Sequence, residues 1–307
     1  MENLDAGKLF SVEGFVAVVT GGGTGLGLMA ARALAANGAS KVYILGRREQ
    51  VLKDAAAANN NKLIPIVGDV TSKESLQRAY NQIASTTDHV DVVIASSGIT
   101  GPPRSPPSNP ISDFLTDDMS SLREFLWNTP MEDFTQTFHV NVTGAFYTLV
   151  CFMPLLDAAN KLRPPPSDFP RAQFIVMTSI ASFIRIPFTG WAYAASKAAV
   201  THLTKAMSTT FARAGYGLRI NGIAPGIYYS PMTAAAFRAA GAGADGRSIA
   251  MTEEGQVPGA LIPAARCGKE EDMAGVVLWL CSRAGNYVNG NIVVTDGGRV
   301  STNPATY

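Results

Sequence analysis

The sequence predicts a single-domain α/β protein, a doubly wound parallel sheet of about seven strands with helices on both faces. Three observations carry this. Short apolar runs alternate with longer segments of helical periodicity along the chain. Several of those runs are apolar at every position, the pattern of a strand covered on both faces and therefore of a parallel sheet packed between helices. Nothing reads as a linker between two halves of the 307 residues, so one domain spanning 1–307 is expected.

The elements follow in order. Phe15–Val19 is the first strand, five apolar residues ending at a glycine-rich turn, and Leu28–Asn37 is the helix beyond it. Lys41–Leu45 and Glu49–Asn59 form the next strand and helix, then Leu63–Val67 and Lys73–Ser85. Val90–Ala95 is the fourth strand, followed by a long helical run at Thr135–Leu156. Phe174–Met177, Ala194–Ala214, Leu218–Ile223, Glu271–Leu280 and Ile292–Thr295 complete the alternation. Three stretches interrupt it. Thr100–Pro130 is rich in Pro, Ser and Asp, Arg163–Pro170 holds three consecutive prolines, and Gly241–Pro258 is rich in Gly and charge. Loops this long are commonly functional or disordered. The first two read as surface insertions. Met232–Pro258 reads as a lid that orders over substrate.

Composition excludes several classes. The chain is 47% hydrophobic and 16% charged, with a formal net charge of +1, which gives nucleic acid or an anionic membrane no electrostatic handle. Its three cysteines, Cys151, Cys267 and Cys281, fit neither a disulfide framework nor a metal site, so buried free thiols and no metal are expected. Met1–Gly14 carries no long apolar run, so neither a signal peptide nor a membrane span is read there and a cytoplasmic location is expected.

The chemistry begins at Thr20–Gly27, Thr-Gly-Gly-Gly-Thr-Gly-Leu-Gly, between the first strand and its helix. Glycines let a backbone turn sharply and approach a ligand closely. The helix start supplies unpaired N–H groups and the positive end of a dipole, a setting that suits a dinucleotide pyrophosphate. Farther on, Tyr193 and Lys197 stand one helical turn apart on a shared face. Tyrosine is a poor base at an ordinary pKa of about 10, and a nearby ammonium is expected to lower it. Ser179 follows a strand end, where ligand groups of open α/β sheets cluster, and can hold a substrate oxygen. Asn141 sits inside a helical run, where asparagine is a mediocre helix former.

With these residues in place the chain resembles the short-chain dehydrogenase/reductase family, in particular its carbonyl or 3-oxoacyl reductases. The matches run from Thr20 to Gly298: the Thr20–Gly27 loop, Asp69-Val70, Asn141, Ser179, Tyr193 with Lys197, Asn221, Pro225-Gly226, Arg266-Cys267-Gly268 and Asp296-Gly297-Gly298. The resemblance implies a Rossmann-type sheet and a set of roles. Tyr193 exchanges the proton, Lys197 lowers its pKa and binds the nicotinamide ribose, and Ser179 positions the substrate oxygen. Asn141 holds a water linking Lys197 to solvent. Gly21, Gly23, Thr24, Gly25, Leu26 and Gly27 hold the pyrophosphate, Asp69 and Val70 contact adenine, and Gly98 lets the backbone approach the cofactor. Pro225, Gly226 and Ile227 lie against the nicotinamide, with Ser230 near its carboxamide and Met232 beside it. The chain departs from the family at Ala95-Ser96-Ser97-Gly98, where Asn-Asn-Ala-Gly is usual, and in the wide separation of Gly98 from Asn141.

Cofactor choice rests on Gly46, Arg47 and Arg48. An NAD-preferring site places an acid at the end of the second strand to bind the ribose 2′-OH. Here that position is glycine, and two arginines follow that can hold a 2′-phosphate, so NADP(H) is expected over NAD(H). Phe183, Ile184, Phe188, Trp191, Tyr228, Tyr229 and Met232 are expected to border the nicotinamide and to favour a small hydrophobic carbonyl substrate. His89, His139 and His202 receive no role and no evident partner. The family resemblance and the apolar breadth of Thr135–Leu156 and Ala194–Ala214 suggest a homotetramer or homodimer. The leading reading is NADPH-dependent ketone reduction. Oxidation of a secondary alcohol, a non-redox catalyst and a cofactor sensor are the alternatives.

Overall fold

The computed structural model describes residues 4–103, 118–164, 167, 169–234, 237 and 249–306. Seven strands, β1 (Val16–Thr20), β2 (Lys41–Gly46), β3 (Leu63–Val67), β4 (Val92–Ala95), β5 (Gln173–Met177), β6 (Arg219–Pro225) and β7 (Ile292–Thr295), form one parallel sheet. Its order is β3-β2-β1-β4-β5-β6-β7. The strand order reverses between β1 and β4, which lie side by side with Val19 opposite Ile94, and this switch point is where open α/β sheets bind ligands. The helices among the described residues are α1 (Ala6–Leu9), α2 (Gly25–Ala36), α3 (Glu49–Ala57), α4 (Lys73–Ala84), α5 (Met119–Trp127), α6 (Met131–Phe138), α7 (Gly144–Leu162), α8 (Trp191–Arg213) and α9 (Glu270–Cys281).

The core explains why the strands are apolar throughout. Side chains alternate across a strand. Val18 therefore packs with Leu76, Leu149, Phe152 and Val200 beneath α4, α7 and α8. Val19 packs on the other face with Leu34, Leu52, Met273 and Val277 beneath α2, α3 and α9. Both faces are covered by helices, which is why most strand positions on either side are apolar. All three cysteines are free, with Cys267 and Cys281 buried and Cys151 partly so.

Several boundaries differ from expectation. The helical run expected at Thr135–Leu156 begins at Met131, after Pro130 and with Glu132 and Asp133 complementing the first turn, and ends at Leu162. It is also not one α-helix: His139–Thr143 form a π-helical turn that places Asn141 inward. Residues 131–162 are long and apolar enough to cross a membrane by length and composition alone, but α7 is a core helix, with Leu149, Phe152 and Leu156 fully covered. α2 begins at Gly25, because Thr24 is already extended. α8 begins at Trp191, after Gly190 at φ 140°. β4 begins at Val92 because the Val90 N–H donates to Leu155 O outside the ladder.

His89, expected to lack a partner, has several. Its Nδ1 lies 2.6 Å from Asp88 Oδ1 and its Nε2 3.6 Å from Asp91 Oδ2. The buried Asp91 also accepts from Val16 N at 2.8 Å and pairs with Arg163. Burial pushes the Asp91 carboxyl above its ordinary range against those bonds. The cluster sits at the start of β4, at the opposite end of the strand from the switch point. Of the interrupting stretches, residues 104–117, 165–166 and 168 lie outside the described residues, as do 235–236 and 238–248 of the expected lid.

Candidate active site

A cavity of about 550 Å³ opens at the C-terminal ends of β1 to β5. It brings together Gly21, Gly23, Thr24, Gly25 and Leu26 from the first turn, Arg47 and Arg48 after β2, Asp69 and Val70 after β3, Gly98 after β4, and Tyr193, Lys197, Ser230 and Met232. Sequence reasoning placed every one of these in the site. Gly46, on which cofactor choice rests, lines it too; sequence reasoning missed Val51, Leu52, Gly68, Thr71, Ser96, Ser97, Ile99, Thr100, Val140, Met177, Thr178 and Pro231, which also line the cavity. Most of these neighbour a predicted residue in sequence, so widening each predicted segment by one or two positions finds them.

The first turn is shaped for close approach. Gly21 sits at φ 67°, and a side chain there would come within 2.9 Å of Ser96 O. Thr24 caps α2 in extended conformation without a side-chain hydrogen bond to the helix, so its hydroxyl does not satisfy the α2 amides. Gly27 serves the turn from behind: a Cβ there would lie 2.5 Å from Gly21 O, so α2 can leave β1 at this angle only with glycine. Ser96 and Ser97 send their backbone N–H groups toward Thr20 Oγ1 at 3.2 and 3.4 Å.

Arg47 and Arg48 are both exposed at the cavity edge, and neither has a carboxylate within ion-pair distance among the described residues. Asp69 is committed locally. Burial pulls its carboxyl up, but bonds from the Thr71 hydroxyl at 2.7 Å and backbone N–H at 2.9 Å outweigh this and hold it below its ordinary value.

Ser179, Tyr193 and Lys197 lie at the other end. Ser179 follows β5, its hydroxyl accepts from Ala181 N at 3.1 Å, and it hydrogen-bonds the buried Tyr193 phenol. Lys197 is buried and donates to Met177 O at 2.8 Å. Asn141 lies just behind the lining. Its Oδ1 accepts from Ile99 N at 2.9 Å, and its Nδ2 donates to Ile99 O and Ser196 Oγ, each at 3.0 Å. Asn141 thus fixes the segment that follows Gly98, whose Cβ position would be 3.7 Å from Lys197 Nζ.

Two expectations are corrected. In this structure the Tyr193 phenol stands raised rather than lowered. Burial raises the phenol, the Ser179 bond is what opposes it, and burial lowers Lys197 itself to about 8. The Nζ lies 5.7 Å from the Tyr193 ring centroid and donates to Met177 O. The aromatic wall is also smaller than expected. Phe183, Ile184 and Tyr228 are core residues, Trp191 is 48% exposed, and only Met232 of the seven lines the cavity. Pro225, Gly226 and Ile227 stand at the end of β6 outside the lining; Gly226 N donates to Thr295 O at 2.9 Å, and a Cβ there would meet Asp296.

One cavity thus joins the glycine turn at the start of α2 to the buried Tyr193 and Lys197, with Ser179 beside Tyr193 outside the lining. The family model for short chain dehydrogenases matches residues 15–241. The chain is 41% identical over 307 residues to the short-chain dehydrogenase/reductase PhomF of Diaporthe leptostromiformis, covering 99% of this chain and 98% of that one. It is 30% identical to gluconate 5-dehydrogenase of Gluconobacter oxydans, covering 94% and 96%. Among solved structures, a gluconate 5-dehydrogenase of Burkholderia cenocepacia in complex with NADP and tartrate superposes with a TM-score of 0.73 at 26% identity, covering 97% and 99%. The chain belongs to the short-chain dehydrogenase/reductase family, oxidoreductases that interconvert alcohols and carbonyls.

Proposed function

We propose that the chain reduces a ketone to a secondary alcohol with NADPH. The observation that carries this is the cavity edge at Gly46-Arg47-Arg48: glycine stands where an acid would hold a ribose 2′-OH, and beside it are two exposed cations with no carboxylate within ion-pair distance among the described residues. A 2′-phosphate is the anion that arginine binds bidentately. The rest of the cavity fits the same group. The Gly21–Leu26 turn suits the pyrophosphate, Asp69 and Val70 the adenine side, and Gly98, Lys197 and Ser230 the nicotinamide riboside.

When bound, the cofactor supplies a hydride to the carbonyl carbon. The protein does the rest. Ser179 holds the carbonyl oxygen, Tyr193 gives its phenolic proton to that oxygen as the C–H bond forms, and Lys197 sits where it can bind the ribose and return a proton toward Tyr193. Asn141 keeps the Ile99 segment in place beside Lys197. The reverse direction uses the same groups with Tyr193 as base. We further propose that two or four copies associate through α7, whose outer face exposes Phe146 and Val150 opposite the buried Ala145 and Leu149.

The test is NADPH and NADH binding and oxidation, side by side, with a panel of ketones. Tight NADPH binding with turnover that Tyr193→Phe abolishes supports the reading. Preference for NADH, or binding without turnover on any ketone, rejects it. Sedimentation as a monomer at micromolar concentration rejects the association.

A further inference from the structure

Ser179 and Tyr193 are joined by a loop, residues 180–190, and that loop is held from both sides. On the inside, Thr201 on α8 donates to Ser182 Oγ at 2.9 Å. On the outside it meets the last residues of the chain. After β7, Asp296 caps a short 3₁₀ turn at Arg299–Thr302 by accepting from Gly298 N at 2.9 Å and Val300 N at 2.6 Å. The chain then runs antiparallel to the loop: Arg185 N donates to Pro304 O and Thr306 N to Phe183 O, both at 2.8 Å, with Ile184 opposite Ala305. Val300 packs with Phe183 and Ile184 in one buried apolar cluster.

Arg299 adds a second hold. It is only 5% exposed, an unusual place for an arginine. Its guanidinium lies 4.8 Å from the Phe188 ring centroid and donates to Leu261 O at 3.3 Å. It therefore links the loop between Ser179 and Tyr193 to the segment that precedes Arg266. A buried cation with a ring on one side and a carbonyl on the other fixes both.

We propose that the C-terminal segment Asn303–Thr306, with Arg299 as a positioning residue, sets the geometry of the Ser179–Tyr193 pair toward the substrate oxygen. Neither contacts the cofactor cavity, so the segment acts on the substrate side alone. The inference rests on the ketone-reductase reading for its kinetic consequence, though the brace itself does not.

The experiment compares wild type, a chain ending at Thr302, Arg299→Met and Arg299→Lys. Hydrogen exchange reads the brace without catalysis. Faster exchange of the 183–190 amides in the truncated chain and in Arg299→Met, with the Gly21–Ala36 amides unchanged, is expected; unchanged exchange at 183–190 overturns the brace. In kinetics, kcat/KM for a ketone falls about 10- to 100-fold, the scale of a small misplacement of reacting groups, while NADPH affinity holds and Arg299→Lys recovers part of the loss. Loosened amides with unchanged kcat/KM overturn the positioning role. A wild type that turns over no ketone rejects the reductase reading and leaves the exchange result to decide the brace. Should the truncated chain fail to fold, Arg299→Met and Arg299→Lys carry both readouts.

Discussion

Lys197 Nζ donates to the main-chain oxygen of Met177 at 2.8 Å, while the ring of Tyr193 lies 5.7 Å away. The lysine is thus anchored to the end of β5, from which Ser179 also emerges. Its burial has a cost that pH reveals. The folded pKa is about 8 against an ordinary 10.5. Below pH 8 both folded and unfolded chains hold the proton, and the full cost of charging a buried amine is present. Between about pH 8 and 10.5 the unfolded chain binds more protons than the folded one, so stability rises with pH across that window. The gain is up to about 3 kcal/mol. Urea unfolding at several pH values should show this rise in wild type and lose it in Lys197→Met. The same slope in both proteins would show that Lys197 is not its source.

Cofactor choice can be turned at one position. Gly46 is not in left-handed conformation, and a Cβ there would first meet Leu52 Cδ2 at 3.6 Å, an ordinary contact. Gly46→Asp therefore fits, and its carboxylate would stand at the cavity edge beside Arg47 and Arg48. Charge-assisted hydrogen bonds contribute about 1.5–3 kcal/mol, so NADPH affinity should fall about 10- to 100-fold while NADH affinity rises. Isothermal titration with both cofactors checks this. An unchanged ratio would mean that the two arginines do not hold the 2′-phosphate.

The sheet was legible in the sequence because a strand between two helical layers must be apolar on both faces, as Val18 and Val19 show. The glycine turn and the Tyr193–Lys197 spacing were legible because the chemistry demands those residues at those offsets. The π-helical turn at Asn141 was not legible, since the pattern of apolar residues does not report which carbonyl each backbone N–H reaches. The fate of Phe183, Ile184 and Tyr228 was also hidden. An aromatic beside a strand end reads alike whether it lines a cavity or packs in the core, and only the tail crossing at Ala305 decides it for Ile184.

Gly27 should prove intolerant of the smallest side chain. The obstacle to its Cβ is backbone, Gly21 O at 2.5 Å and Gly21 C at 2.8 Å, so no rotamer change relieves it. Gly27→Ala must displace the turn or tilt α2, at a cost of about 1–3 kcal/mol for an overpacked site. Because the same turn faces the cofactor cavity, NADPH affinity should drop together with stability. Thermal unfolding and cofactor titration of Gly27→Ala test the coupling, and loss of stability with intact affinity would place the strain outside the turn.

Gln173, the first residue of β5, offers a gain in stability. It is 1% exposed, and neither Oε1 nor Nε2 has a hydrogen-bond partner among the described residues. By the alternation of the strand it shares a sheet face with Ile175 and Met177, both in the apolar cluster beneath α2 and α9. Its register partner Arg219 cannot help, because that guanidinium donates to Leu280 O at 3.1 Å and Gly285 O at 3.0 Å. An unpaired buried amide costs about 1–3 kcal/mol, whereas an apolar group of similar shape does not. Methionine matches glutamine in length and flexibility and fills irregular space. Gln173→Met should therefore raise the urea midpoint without changing the slope of the transition or the rate of ketone reduction, since β5 contributes to the site only at its far end. A lower midpoint would mean that the amide is satisfied in solution, and that its polar contacts help to hold the start of β5 against Arg219.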